Sequence, residues 1–335
     1  MQRNPAVSAF VAPVLAVTCF VAAAKTSETA PPAKTGEGPP VLWRDPGDVS
    51  SRDLYYGSGG LQHQPAGPFV FGKEENTGTQ PKFQLVDANG VRWAAKVGIE
   101  ARPETAASRF LWAVGYFAND DYFLPAMPVQ NLPHLRGVSS SASTGGVVHD
   151  VRLKRHSPNE VKLGIWEWGN CPFVNTREWN GLRVLMALMN NWDVKDINNS
   201  IYQLKGANPE QRYMVTDLGS SFGPTTLSRS LKGNLRAYRE SKWIHAVSHD
   251  YVDFNVPGAP SGAYFLAFPI WMGRLSLDWF GRHIPRADAR WIGDLLGRLS
   301  PSQIRDAFRA AGYSAEEVED FSQIVESRVH ELQQM

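Results

Sequence analysis

Apolar and polar positions alternate with period two over Lys82–Val86 and again over Val91–Val97. Between them Asp87-Ala88-Asn89-Gly90 carries an Asn-Gly pair, which supplies the positive-φ positions of a tight turn, so the pattern predicts a hairpin. In the second strand the alternation sets Arg92, Ala94 and Lys96 on one face and Val91, Trp93 and Ala95 on the other. The period then lengthens: Phe110, Leu111, Val114 and Phe117 form one face of a predicted helix that opens near Pro103, with Glu104 in its first turn. Val147–Arg155 reads as a strand. Arg177–Met189 reads as a second helix, with Trp179, Leu182, Met186 and Met189 on one stripe and Asn190-Asn191 at its end. Arg212–Leu218 reads as a strand running into Gly219-Ser220-Ser221-Phe222-Gly223. From about Ser241 the pattern predicts mostly helix, with a cap at Ser300-Pro301-Ser302-Gln303 and a capping box from Ser314 to Glu317. The fold class is therefore α+β. A strand-rich lobe (69–135) is expected to meet a mostly helical lobe (136–335) across a cleft, through the low-complexity loop Gly137–Gly146.

Composition changes the picture chiefly at the N-terminus. Arg3 precedes an apolar, charge-free run that ends in Ala22-Ala23-Ala24 before Lys25, which predicts a signal peptide over 1–24 and export to the periplasm or extracellular space. An uncleaved membrane anchor is the second choice, and it would supply the chain's one membrane contact. Residues 25–68 are rich in Pro, Gly, Ser and Thr, which predicts a flexible leader. The 335 residues carry 34 Lys+Arg against 33 Asp+Glu, a balance that lacks the global basic footprint of a nucleic-acid binder. Of the two cysteines, Cys19 lies in the predicted signal. The mature chain then keeps Cys171 alone and has no intramolecular disulfide.

The candidate chemistry lies in three short elements met in order. Trp93-Ala94-Ala95-Lys96 puts a lysine on a strand; Asp193-Val194-Lys195-Asp196-Ile197-Asn198 follows the long apolar helix; Thr216-Asp217-Leu218-Gly219 follows a strand. In this order and spacing the chain resembles the protein-kinase-like superfamily, whose signatures are V-A-I-K, D-x-K-x-x-N and D-F-G. It is most similar to the atypical branch, the HipA-type and phosphatidylinositol-kinase-like enzymes. Their N-x-D-x-[HK]-x-x-N loop is matched by Asn191–Asn198, and their Ser/Gly turn before Pro-Lys by Asn76-Thr77-Gly78-Thr79-Gln80-Pro81-Lys82. The likeness covers roughly residues 69–225.

That resemblance implies ATP and Mg²⁺, or Mn²⁺, as cofactors, and an unknown protein, lipid or small molecule as the hydroxyl acceptor. Phosphoryl transfer asks a protein mainly for positioning and for neutralisation of charge. By resemblance, Lys96 reaches the α/β-phosphates, steadied by Glu104, with Glu100 competing for that role. The backbone of Thr77, Gly78 and Thr79 cradles phosphate oxygens. Ala94 leaves room for adenine, Asp193 accepts the hydroxyl proton, Lys195 offsets charge on the transferred group, and Asn198 and Asp217 hold the metal, a hard cation that wants oxygen ligands.

The chain departs from the pattern in several places. It has no G-x-G-x-x-G; Asn191-Trp192 replaces the usual His-Arg; Leu218 stands where Phe is usual; no A-P-E follows. Three alternatives therefore stand beside the enzyme. One is a catalytically inactive kinase-like module that binds a nucleotide or a partner. Another is a serine hydrolase built on Ser221 in Gly219–Gly223, with His245, His249 or His283 as base. The third, a metal pair formed by His245 and His249 on one helix face, lacks the Glu of H-E-x-x-H, and the two histidines are read as structural. Trp166 and Trp168, on alternate strand positions, are expected to pack core and interface.

Overall fold

In this computed structural model, which describes residues 35–75, 80–136, 143–223, 231–255 and 278–335, the predicted signal peptide lies outside the described residues. Residues 35–68 of the expected flexible leader (25–68), however, are ordered. Its few branched apolar residues decide this: Leu42, Val49 and Leu54 are all buried in the main core. The short β1 (Pro40–Val41) runs parallel to a later strand, and Asp48 caps the 3₁₀ turn Val49–Ser51. Buried Gln303, far along the chain, donates its amide to the carbonyls of Val49, Ser50 and Arg52. Pro/Gly content lowers the entropy or the strain of irregular backbone; it does not prevent burial of the apolar residues between them.

The predicted hairpin follows β2 (Phe69–Glu75). It comprises β3 (Lys82–Val86) and β4 (Arg92–Val97), paired antiparallel with Lys82 opposite Lys96. Asp87 makes the turn: its carboxylate accepts from the N–H groups of Asn89 and Val91 at 2.9 Å and from Trp93 Nε1 at 3.0 Å. Gly90 supplies the positive φ, 75°. Helix α1 (Ala101–Ala113) comes next; Val114 ends it, so Phe117 lies beyond the helix rather than on its face. Then come β5 (Asp121–Gln130), β6 (Ser143–Thr144) and β7 (Val147–Arg155). The sheet order is β4-β3-β2-β5-β7-β6, and β4 also pairs with β7, so five of these strands close on themselves.

Closure gives the period-two pattern two different jobs. The inward positions, among them Phe83, Leu85, Trp93, Ala95, Val97, Val151 and Leu153, fill a core of their own. The intervening positions Lys96 and Arg152 face the other way and are free to build a charged site. Because β7 belongs to this sheet, the strand-rich part extends to Arg155, past the boundary at 135/136 read from the sequence.

Beyond it, β8 (Glu160–Gly164) leads through the buried, edge-to-face pair Trp166 and Trp168, which lie past the strand's end rather than within it, to α2 (Arg177–Leu188). A helix buried all round, α2 begins where the Thr176 hydroxyl accepts from Trp179 N–H at 3.2 Å. Strands β9 (Asn199–Leu204) and β10 (Glu210–Val215) complete a sheet of order β1-β10-β9-β8. After α3 (Leu235–Glu240) the chain forms β11 (Ile244–Val247) and β12 (Tyr251–Phe254), a hairpin completed by β13 (Ile284–Pro285), where the sequence pattern predicted helix. Helices α4 (Arg286–Leu296), α5 (Pro301–Ala310) and α6 (Ala315–Gln333) close the fold. Both expected capping boxes, at Ser300 with Gln303 and at Ser314 with Glu317, are present. The architecture among the described residues is mixed α+β, as expected.

Candidate functional site

The site starts at the end of α2, where the main chain must stop and turn. Asn190 takes φ 55°, and the N–H groups of Asn190 and Asn191 bond back to Ala187 and Met186 at 3.0 and 2.8 Å. This is the 5→2 and 6→1 pairing of a Schellman end, with asparagine tolerating the left-handed position. Asn191, 1% exposed, then turns the loop: its Oδ1 accepts from Asp193 N–H at 3.2 Å and its Nδ2 donates to Ser221 Oγ at 3.1 Å. Trp192 packs inward, its indole N–H given to Asn190 Oδ1 at 2.7 Å. Asn191 and Trp192 thus form a structural device that fixes the loop carrying Asp193.

From there Asn198 Nδ2 donates to the Asp193 carbonyl at 2.6 Å, and the Asn198 carbonyl accepts from the N–H groups of Thr216 and Asp217. The loop 193–198 is therefore laced to the backbone that presents Asp217. Lys195 Nζ lies 2.6 Å from Asp193 Oδ1, its side chain mostly exposed.

Lys96 is the centre of the charged cluster. Its Nζ lies 2.6 Å from Glu104 Oε2, 3.0 Å from Asp217 Oδ1 and 3.1 Å from Glu100 Oε2, and it is 2% exposed. Both glutamates expected to compete for it therefore hold it together. Burial by itself would lower the ammonium's pKa; the carboxylates of Glu104 and Asp217 overcome that, and the net shift is upward. Asp217 shows the mirror image: burial would raise its carboxyl, but the charge and the hydrogen bond of Lys96 hold it well below the ordinary range. Gly219 N–H adds a bond to Asp217 Oδ1 at 3.3 Å. A Cβ on Gly219 would sit 2.7 Å from Glu100 Cβ, so only glycine allows this approach.

Sequence reasoning did not single out Arg152, Asp121 or Lys232. Arg152 donates to Glu104 Oε1 at 2.8 Å and lies 3.6 Å from Asp121 Oδ1. Lys232 pairs with Glu100 Oε1. Arg152 is a polar position of an alternating strand, but its place opposite Lys96 comes from strand pairing, which the sequence does not display. Lys232 carried no signal, lying outside every motif.

Of the predicted site residues, Lys96, Glu104 and Asp217 meet directly. Asp193, Lys195 and Asn198 share the adjoining loop, and Ala94 is half-buried on the same strand as Lys96. Thr77, Gly78 and Thr79 lie outside the described residues. The oxygens of Glu100, Glu104 and Asp217 come within 4.8 Å of one another, a spacing that could hold a cation, but the Lys96 ammonium lies among them. Asp217 Oδ2 and Asn198 Oδ1 make no bond among the described residues. These are hard oxygen donors and fit Mg²⁺.

Two alternatives fare poorly. Ser221 is fully buried, its Oγ donating to the Leu218 carbonyl at 2.8 Å and accepting from Asn191 rather than meeting a histidine. His245 lies on strand β11 and His249 in the turn after it, where His249 pairs with Asp250, so they share no helix face.

Compared with protein-family models and with curated proteins, the chain matches no family and no curated protein. The site's chemistry rests on its own geometry.

Proposed function

We propose that the chain is an exported, two-lobed, atypical kinase-like phosphotransferase that binds Mg–ATP and phosphorylates a hydroxyl acceptor. The observation that carries this reading is the convergence on Lys96 of Glu104, from the helix after its strand, and Asp217, from the end of a distant strand. The Asp193–Asn198 loop, hydrogen-bonded to the backbone of Asp217, completes it. The five strands that close through β4 and β7, with α1 inserted between β4 and β5, are consistent with a first lobe of that kind. Export rests on the pattern of residues 1–24 alone; among the described residues no helix is long and apolar enough to cross a membrane.

In this reading Lys96, pre-aligned by two glutamates, contacts phosphate oxygens. Asn198 and Asp217 hold the metal, which supplies neutralisation of phosphate charge. Asp193, aimed by Asn191, takes the acceptor's proton, and Lys195 swings from Asp193 toward the transferred group. Mg–ATP binding and phosphate transfer by the mature chain test the reading. Asp193→Ala is expected to lower transfer by at least ~10²-fold with ATP affinity nearly unchanged, whereas Asp217→Ala loses both. A wild-type chain that binds no nucleotide with Mg²⁺ or Mn²⁺ overturns it.

A second reading, the inactive nucleotide-binding module, draws support from the 2.6 Å contact that occupies Asp193 with Lys195. Nucleotide binding without any transfer would select it.

A further inference from the structure

A cavity of about 830 Å³ is lined by none of Lys96, Asp193, Asn198 or Asp217, though Lys154 in its wall adjoins Arg152 of the charged cluster. One wall is the end of β7 and the chain that follows it; the others are the 115–120 segment and the exposed face of β8, β9 and β10. Its size falls within the range of small-molecule sites. Its aromatic lining is already used by cations: Arg212 lies 4.9 Å from the Phe117 ring and Arg52 4.7 Å from that of Trp112.

Charge decides what it would take. Six lysines and arginines line it against three aspartates and glutamates. All three acids are engaged. Asp120 accepts from Ser58 at 2.7 Å and lies 3.0 Å from His63 Nδ1; Glu160 meets Arg212 at 3.2 Å; Asp45 accepts from Gly47 N–H at 2.9 Å. Arg44 and Arg212 share Glu210, and Arg52 bonds the Trp112 carbonyl. Lys154, Arg155 and Lys162 remain, with no ion pair or side-chain hydrogen bond among the described residues. Burial and then the nearby Arg152 depress the Lys154 ammonium by more than Asp121 and Glu104 raise it, so an anion beside it would relieve a standing cost. His156 Nε2, also at this wall, is buried without a hydrogen-bond partner among the described residues.

We propose that this cavity is a second ligand site, which binds a multiply charged anion of the phosphate-ester class through Lys154, Arg155 and Lys162. Three cations without an ion pair among the described residues, beside acids that already have partners, suit a ligand that brings several negative charges. The proposal is independent of the phosphotransfer reading.

Inorganic tripolyphosphate, titrated calorimetrically into the full chain in the presence of EDTA, tests it. One-to-one binding is expected, at least tenfold weaker in Lys154→Met and in Lys162→Gln, and unchanged within twofold in Lys195→Gln. Lys162 is exposed, so its variant keeps the test valid if Lys154→Met fails to fold; the melting temperature of each variant reports this. Absence of binding to the wild-type chain overturns the proposal. So does affinity that survives Lys162→Gln but falls in Lys195→Gln, which would place the anion at the other site.

Discussion

At the residue scale the molecule turns on one ammonium. Three carboxylates gathered within 4.8 Å are tolerable because Lys96 lies among them, and removing one partner of a buried ionic cluster costs about 3–5 kcal/mol. Lys96→Met should lower stability by that order, read from urea unfolding. The pH dependence follows from the two shifts. Asp217, held below its ordinary value of 3.8, contributes stability that is present above that value and is lost on acidification. Lys96, raised above 10.5, contributes stability present below that value and lost as the pH climbs past it. The pair's contribution to wild-type stability should therefore be complete between about pH 5 and about pH 9, whereas the carboxylates left without their ammonium in Lys96→Met are relieved by taking up protons, so the gap should narrow on acidification. A gap that widened towards acid would contradict the geometry.

Asp121 behaves in the opposite sense. It is fully buried, neither carboxylate oxygen has a hydrogen-bond partner among the described residues, and burial against the pull of Arg152 pushes it up to about 6. Between its ordinary 3.8 and that value the folded chain holds a proton that the unfolded chain has released, so stability falls as pH rises through the window. Asp121→Asn should abolish that slope in urea midpoints measured across it; an unchanged slope would mean another group titrates there. Lys96, Glu104 and Asp217 could be found in the sequence because their order and their elements matched a chemical demand. Asp121 and Arg152 could not, because their meaning comes from strand pairing, which places residues far apart in sequence side by side.

At the scale of elements, long periodic stretches were legible: α2, the β3–β4 hairpin and the two capped C-terminal helices fall where the pattern put them, and α1 does so except at its end, which comes before Phe117. Short strands were not. Ile244–Val247 and Tyr251–Phe254 are four residues each, too brief to show a period before the turn intervenes. The end of α2 shows how much a single position can fix. Asn190 must be left-handed, and its side chain also holds Trp192. Asn190→Gly keeps the backbone and loses the hydrogen bond, so it should cost only about 0.5–1.5 kcal/mol. Asn190→Val adds the left-handed penalty of a β-branched residue, roughly a further 1–2 kcal/mol. If the two variants proved equally stable, the turn would not depend on that conformation.

At the scale of the whole molecule, the instructive misreading is the stretch 35–68. Its composition resembles that of a linker, yet composition averages over a window, and stability depends on where the rare apolar residues land. Leu42, Val49 and Leu54 are each 2% exposed or less and pack with residues from α1 and the C-terminal helices in one core. Fully burying such a side chain contributes about 1.5–3 kcal/mol, with extended-chain references giving upper bounds. Three of them together approach the net stability of a whole domain, about 5–15 kcal/mol. Gln303 adds to the loss, since its buried amide donates to three carbonyls of this stretch and would be left without them. A chain starting at Phe69, which still holds every charged residue of the site, should therefore fail to unfold cooperatively in calorimetry. Leu54→Ala in the full chain should cost about 2–5 kcal/mol. A Phe69-start chain that melted cooperatively within a few degrees of the full chain would show that the stretch is appended to the fold rather than built into it.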